Sequence, residues 1–408
     1  MRGLAALSVV FLHYATAFAP FLIGYVATQR HSFLDRAAST TPLGLPFAGN
    51  FAVCIFFVLS GFVLSIKFFQ TKDIMAVRSS AVRRIFRLLP PALISIILGY
   101  LALRFGLVYA HQAAAGSESS NWLATFWLFP AHLGQALFQG LYGIWFGNFN
   151  VYTSYNPVLW TMHYELYGSF LVFMFLALLG KLNNRWVFYA LFGLIFLKTY
   201  YLAFIAGMAI SDVYVTKPDL KDKINVWLAV AATPIILLLG TWSTSSIYPS
   251  IYNRVSVPFF LPSQLEIFMH VVAAILTIVV ILRLQQVSNF LEKRPIQYLG
   301  RISFGLYLTH FIVMGTLASF IFYRLLPGYG YKLAVVATAA ISLPVTIIFA
   351  DFYTRWVDLP SIALSKKVGD KLLYGNLRLE SPKRLLVAIS DKIPALGTSV
   401  EIEDVPED

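Results

Sequence analysis

Charge is scarce in this chain of 408 residues and cysteine is all but missing. Asp, Glu, Lys and Arg make up 12% of it, where ordinary soluble domains carry about 25%. A soluble globular protein is excluded, because 58% of the residues are hydrophobic and the mean hydropathy is +0.72. The single cysteine, Cys54, lies inside an apolar run, so no intramolecular disulfide can form. A cysteine-based metal site is excluded with it, and no metal is expected. Before about residue 365 no polar stretch is long enough to bury a core of its own, so a separate soluble domain is not expected. Internal repeats and low-complexity tracts are missing as well.

What is present is a succession of apolar runs separated by basic loops. The formal charge of +12 would suggest nucleic acid in a soluble chain. Here the basic residues gather beside apolar runs, as cytoplasmic loops of membrane proteins do, and nucleic-acid binding is not expected. The fold class read from this pattern is all-α: a polytopic transmembrane helical bundle of about ten spans with cytoplasmic N- and C-termini, embedded in a lipid bilayer. Spans are expected over residues 2–23, 50–69, 90–109, 157–179, 226–240, 264–282, 302–323 and 332–350, with a thin hairpin over 186–214. The first run lacks a long basic lead and a small-residue cleavage pattern, so it reads as a retained span rather than a signal peptide. Residues 67–88 read as a basic cytoplasmic loop. The segment 122–146, broken by Pro130, Gly134, Gly140 and Gly143, reads as interfacial or re-entrant. One membrane domain covers 1–360, and 361–408 form a cytoplasmic tail that is partly disordered, ending in the acidic stretch Glu401, Glu403, Asp404, Glu407, Asp408.

Several polar residues interrupt these runs. From Arg2 to His13 is eleven helical steps, a rise of roughly 16 Å and a turn about 20° past three revolutions, so the two share a face. That places an imidazole near mid-bilayer, where it is either functional or a hydrogen-bonded packing residue. Arg2 alone could be no more than a snorkelling anchor. Ser60 and Gly61 read either as site residues or as small residues that let helices approach. Arg84 and Arg87 are three apart and share a face if helical, which suits a polyanionic ligand; Arg83 is a further candidate beside them. Plain positive-inside topology is the alternative. Glu165, just inside a span, needs a partner. His310 is a second intramembrane imidazole, roughly 13 Å in from Arg301, with packing as its favoured role.

Taken together these features resemble the family 3 integral-membrane acyltransferases. Arg2-Gly3-Leu4-Ala5-Ala6-Leu7 with His13 is similar to that family's first-span motif, in which the Arg and the His are site residues. Phe56, Phe57, Leu59, Ser60, Gly61 and Phe62 resemble its Phe-Phe-x-Leu-Ser-Gly-Phe. Arg84 and Arg87, ahead of Pro90, resemble its Arg-x-x-Arg element, which implies contact with an acyl-CoA donor. Trp160, Thr161 and Glu165 resemble its Trp-Ser-Leu-x-x-Glu, with Thr for Ser and Met162 for Leu. Leu299 to His310 resembles its Leu-Gly-x-Ile-Ser run, and Arg355, Val357, Asp358 and Pro360 its closing Arg-x-Val-Glu-x-Pro. Two departures stand out: Met1 directly precedes Arg2, where members carry an acidic-aromatic lead, and Asp358 replaces the Glu.

The resemblance implies O-acylation, above all O-acetylation, with acyl-CoA as donor and no metal. The acceptor would be a hydroxyl of a carbohydrate, lipid or small natural product. Acyl transfer from a thioester to a hydroxyl needs a base, oxyanion donors and an anchor for the carrier's phosphates. His13 is expected as base or transient acyl carrier, with Glu165 orienting its imidazole. Arg84, Arg87 and Arg83 would hold the CoA phosphates, and Arg2 would add a phosphate contact or polarise the thioester carbonyl. The rival is a proton-coupled secondary transporter or exporter in which His13, Glu165 and His310 form a proton relay.

Overall fold

The computed structural model describes residues 1–25, 33–119, 122–147, 149–223, 225–244 and 250–374, and among these no strand occurs. The acidic end of the tail lies outside the described residues. The helices that matter here are α1 (Arg2–Phe18), α2 (Gly49–Thr71), α3 (Ile74–Arg104), α4 (Met162–Leu178), α5 (Arg185–Ile195), α6 (Tyr201–Thr216), α7 (Val226–Gly240), α8 (Pro262–Arg283), α9 (Arg294–Val313), α10 (Ser319–Tyr353) and α11 (Leu359–Tyr374). Among the described residues, five helical stretches have the length and apolarity to cross a membrane: Gly49–Thr71, Ile74–Arg104, Pro157–Leu178, Pro262–Arg283 and Arg294–Leu373. Four apolar helices of 10–17 residues, α1, α5, α6 and α7, accompany them. The chain is an integral, multi-pass membrane protein.

The 80-residue run Arg294–Leu373 breaks at Gly330, where φ is 73° and ψ is 169°. Only glycine adopts that conformation without strain, so the expected boundary near residue 330 has a local cause. Over 122–146 the longest helical stretch is 133–146, which widens at Gln139–Gly143 and is too short to cross. Backbone and ring groups there are tied down from within: Tyr155 Oη bridges the His132 amide at 2.9 Å and its carbonyl at 3.0 Å, and Trp145 Nε1 donates to the Gly140 carbonyl at 2.8 Å. Such satisfaction is what irregular backbone at membrane depth requires.

One expectation is corrected. Residues 67–88 are not a loop: only Lys72 and Asp73 separate α2 from α3. Asp73 caps α3 by accepting from the Met75 amide at 2.8 Å, and the helix then runs through Pro90 and Pro91. Two prolines remove two amide donors, a loss that a buried helix tolerates when neighbours cover it; Tyr353 Oη donates to the Pro91 carbonyl there. Helix α11 packs along α3, with Asp370 ion-paired to Arg83 and Gly369 against the Arg83 side chain.

Two glycine contacts bring the functional helices together. A Cβ on Gly61 would lie 2.2 Å from the Phe204 carbonyl oxygen, and one on Gly207 2.0 Å from that of Val58, so α2 and α6 meet backbone to backbone. Gly61→Val is expected to lower thermal stability by about 1–3 kcal/mol or more through overpacking, read as a fall in melting temperature in detergent. An unchanged melt would refute this packing role. A Cβ on Gly3 would lie 2.5 Å from the Gly300 amide nitrogen, which seats the start of α1 on the start of α9. Ten residues further along each helix stand His13 and His310, at the same depth, about 15 Å away. The two helices therefore run parallel and in register.

Candidate active site

His13 and His310 face each other. Their rings lie nearly parallel, edge to edge, with centroids 5.1 Å apart and an interplanar angle of 10°, and His13 Nδ1 lies 2.8 Å from His310 Nε2. His310 is fully buried and its Nδ1 lies 2.9 Å from the Leu306 carbonyl oxygen. A carbonyl can only accept, so Nδ1 of His310 carries the hydrogen and Nε2 of the neutral ring is an acceptor. His13 must then donate from Nδ1, which leaves the lone pair of its neutral ring on Nε2. Trp122 stacks on the other side of His13 at 5.7 Å and Phe311 meets it edge-on at 5.2 Å, fixing the ring plane. The pair thus presents one defined basic nitrogen.

Two cavities matter here, and His13 lines the second of them. The first, of about 200 Å³, is lined by Arg2, Ser60, Arg84, Arg87, Glu165 and Tyr307 among others. Arg84 and Arg87 lie ten and thirteen residues into α3, about 15 and 20 Å along it, and their shared face turns inward. Each guanidinium is held by a carboxylate: Arg84 by Glu165, and Arg87 by Asp358 at 2.5 Å. Ser60 Oγ donates to the same Glu165 oxygen at 2.8 Å. Arg84 Nε is buried with no partner, and Arg2 makes no hydrogen bond or ion pair among the described residues. The cavity offers an anion preoriented guanidinium donors and a net positive field. The second cavity, of about 230 Å³, is lined by His13 and Trp122 on one side and by residues of α2, α7 and α8 on the other.

Between the two stands Tyr307, one helical turn before His310, with ring centroids 6.0 Å apart. Its hydroxyl donates to the Val158 carbonyl at 2.6 Å and lies 2.8 Å from Thr161 Oγ1, which explains the position of Thr161 ahead of α4.

The structure brings Arg2, Ser60, Arg84, Arg87 and Glu165 into one cavity and His13 with His310 beside another. The expected role of Glu165 as the residue orienting His13 is not what the fold provides. Glu165 is taken by Arg84 and Ser60, and His310 holds His13 instead. Arg83 does not line the arginine cavity; Arg84, the next residue and about a quarter of a turn on, does, while Arg83 is turned to Asp370 on α11. Gly61 is a packing residue by the contact with Phe204. Ser60 belongs to the site as a hydrogen-bond donor that helps hold Glu165.

The sequence reading missed Asp358 as the partner of Arg87, although the Asp358 position in the closing motif was noted. It also missed Glu266 and His270, which line the second cavity. A signal existed: a carboxylate and an imidazole one helical turn apart at the start of an apolar run. The proton relay of the transporter reading has no continuous path, since Glu165 is bound to neither histidine.

A membrane-embedded bundle with a cationic cavity and a second cavity lined by an imidazole and a carboxylate has the form of an enzyme with two substrates. The acyltransferase 3 family model, described as an acyltransferase domain, matches residues 1–351, and the chain belongs to that family. It is an acyltransferase that transfers groups other than amino-acyl groups. It is similar to the O-acetyltransferase PaAT-1 of Phomopsis amygdali, 25% identical over 428 residues that cover 91% of this chain and 84% of the relative. No solved structure matches it.

Proposed function

We propose that the chain is a membrane O-acyltransferase that takes an acyl group, above all acetyl, from acyl-CoA and transfers it to a hydroxyl of a small acceptor, with His13 as general base. The observation that carries the proposal is the His13–His310 pair beside the second cavity, its free basic nitrogen on His13. The arginine-lined cavity receives the carrier: Arg84 and Arg87, with Arg2, bind its phosphates from the cytosolic side. The basic residues that flank the apolar runs support that orientation, with ten crossings and both ends of residues 1–360 inside. The break at Gly330 and the four shorter apolar helices support the number.

In the reaction, His13 Nε2 takes the proton of the acceptor hydroxyl as its oxygen attacks the thioester carbonyl carbon. The imidazolium so formed donates its Nδ1–H to His310 Nε2. Collapse of the tetrahedral adduct breaks the C–S bond, and the Nε2 proton passes to the departing thiolate, giving the ester and free CoA. The acyl end must pass Tyr307 to reach His13, so the carrier lies along the line from Arg84 to that ring.

The assay that tests the reading is acetyl-CoA hydrolysis and acetyl transfer in purified membranes against a panel of hydroxyl compounds. Loss of neither on removal of His13 would overturn it. His310 acts through His13 as a positioning residue, which gives a sharper test. His310→Phe removes the acceptor for His13 Nδ1–H and is expected to lower kcat on the order of 100-fold with KM for acetyl-CoA unchanged. His310→Gln, whose side-chain oxygen can accept that hydrogen, is expected to restore at least a tenth of the wild-type rate. Equal rates for the two variants would refute the positioning role.

A further inference from the structure

Away from both cavities, where α9 and α10 lie side by side, two guanidiniums share one carboxylate. Arg355 Nη2 lies 2.7 Å from Asp351 Oδ2, one turn before it, and Arg301 Nη2 on α9 lies 3.8 Å from Asp351 Oδ1. The register of the two helices is fixed in the backbone: a Cβ on Gly305, one turn on from Arg301, would lie 2.7 Å from the Ala350 carbonyl oxygen and 2.6 Å from Thr354 Oγ1, in the residues just before Asp351 and Arg355. The Tyr298 ring, 5.3 Å from the Arg301 guanidinium carbon, steadies that side chain further. Even so the two arginine side chains are 57% and 62% exposed, and Arg301 makes no hydrogen bond among the described residues. Exposed ion pairs contribute at most about 1 kcal/mol each, so stability does not account for two cations brought onto one anion. The trio keeps a net charge of +1, since Asp358, the next carboxylate along the chain, is taken by Arg87. Around it the surface is apolar. Ile348, Phe352 and Trp356 follow at four-residue spacing along the exposed face, and Trp356, at 77%, is the most exposed large hydrophobic side chain among the described residues. Such a face meets lipid tails, and an indole at its end sits at the level where headgroups begin.

We propose that Arg301 and Arg355 form a binding site for one anionic phospholipid, its phosphodiester bridging the two guanidiniums and its tails lying along Ile348 and Phe352. Guanidinium forks match phosphate oxygens in pairs, and basic pockets between membrane helices are where headgroups of this charge are held. A single negative phosphodiester complements the net +1 of the trio. A choline headgroup would bring a further cation beside two guanidiniums, so a zwitterionic lipid is disfavoured. Asp351 does not compete for the ligand: its Oδ1 is buried, and its task is to hold both arginines at one spot. Depth agrees with a headgroup. Arg301 stands seven residues into α9, about 10 Å from its start, and Arg355 follows directly on the end of α10. None of Arg301, Asp351 and Arg355 lines either cavity, so the site is separate from the one described above and does not depend on the acyl-transfer reading.

The test uses the full chain purified in detergent and titrated, under native mass spectrometry, with phosphatidylglycerol and phosphatidylcholine of identical tails. Phosphatidylglycerol is expected to bind about fivefold more tightly or better, with one tight site per chain. Arg301→Gln and Arg355→Gln are each expected to weaken phosphatidylglycerol about fivefold, and the double variant about 25-fold, with phosphatidylcholine changed about twofold or less. Lys181→Gln, an exposed lysine in the turn after α4, serves as the control for general positive charge and is expected to leave phosphatidylglycerol binding unchanged. Where the double variant fails to accumulate, Trp356→Ala keeps both guanidiniums and removes the apolar wall, and is expected to weaken both lipids about threefold. Free glycerol 3-phosphate in large excess is not expected to displace the lipid, because it has no tails for the apolar face. Equal affinity for the two lipids, a double variant that binds phosphatidylglycerol like the parent, or an equal loss in Lys181→Gln would overturn the site. Displacement by glycerol 3-phosphate would overturn the lipid assignment in favour of a free phosphate. A dimer that forms without added lipid and is broken by Trp356→Ala would overturn it in favour of a second copy of the chain on this face.

Discussion

His13→Ala is expected to reduce acyl transfer by about 10²- to 10⁴-fold, the range for loss of a positioned general base, with the affinity for acyl-CoA unchanged. The two effects separate because His13 lines the second cavity whereas the guanidiniums line the first. Transfer would be followed with radiolabelled acetyl-CoA and binding by equilibrium titration of the same preparation. The fold should survive the change, since His13 is only partly buried and its one hydrogen bond is to His310. A variant with near-normal transfer would remove the base from the mechanism. One that lost both transfer and acyl-CoA binding would place His13 in the donor cavity, against the geometry described.

Glu165→Leu should give the largest loss of stability of any single change at the site, about 3–5 kcal/mol, because it strands a buried guanidinium. The two side chains are 14% and 16% exposed, so solvent screens the pair little. Ser60 Oγ would lose its acceptor as well. Pairing the change with Arg84→Met is expected to recover most of the stability, since a well-packed apolar pair often replaces a buried ion pair without loss. Acyl-CoA binding should not recover, because Arg84 is then missing from the arginine cavity. Melting temperatures of the single and double variants in detergent decide the first point, and titration of the double variant decides the second. A double variant no more stable than Glu165→Leu would show that the pair is not coupled.

Much of the fold was legible because hydropathy and basic residues speak directly of a membrane. The stretches 50–69, 157–179, 226–240 and 264–282 all appear as helices within a few residues of their expected limits. The course of residues 67–88 was not legible: six basic residues read as a loop, and only a cap at Asp73 and ion pairs from Arg83, Arg84 and Arg87 to distant carboxylates make it a helix. Those partners lie 81 and 287 residues away for Arg84 and Arg83, and no local pattern encodes them. The candidate site was legible as a set of residues and not as a set of pairs. Rise per residue put both His13 and His310 deep in a span, yet it could not say that α1 and α9 are neighbours. The glycines at 3 and 300 were the unread clue, since each stands at the foot of a helix whose imidazole lies ten residues on.

The partners in the histidine pair are separated by 297 residues, which has a consequence for how the protein is made. The first helix emerges from the ribosome long before the ninth exists, and at roughly 5–20 residues per second it waits some tens of seconds for the surface that covers its glycine and imidazole. Until then it rests against lipid or a chaperone. A nascent chain halted before α9 therefore lacks the surface on which its first helix packs, and the histidine pair forms only when the last third of the polypeptide docks onto the first few turns of its beginning.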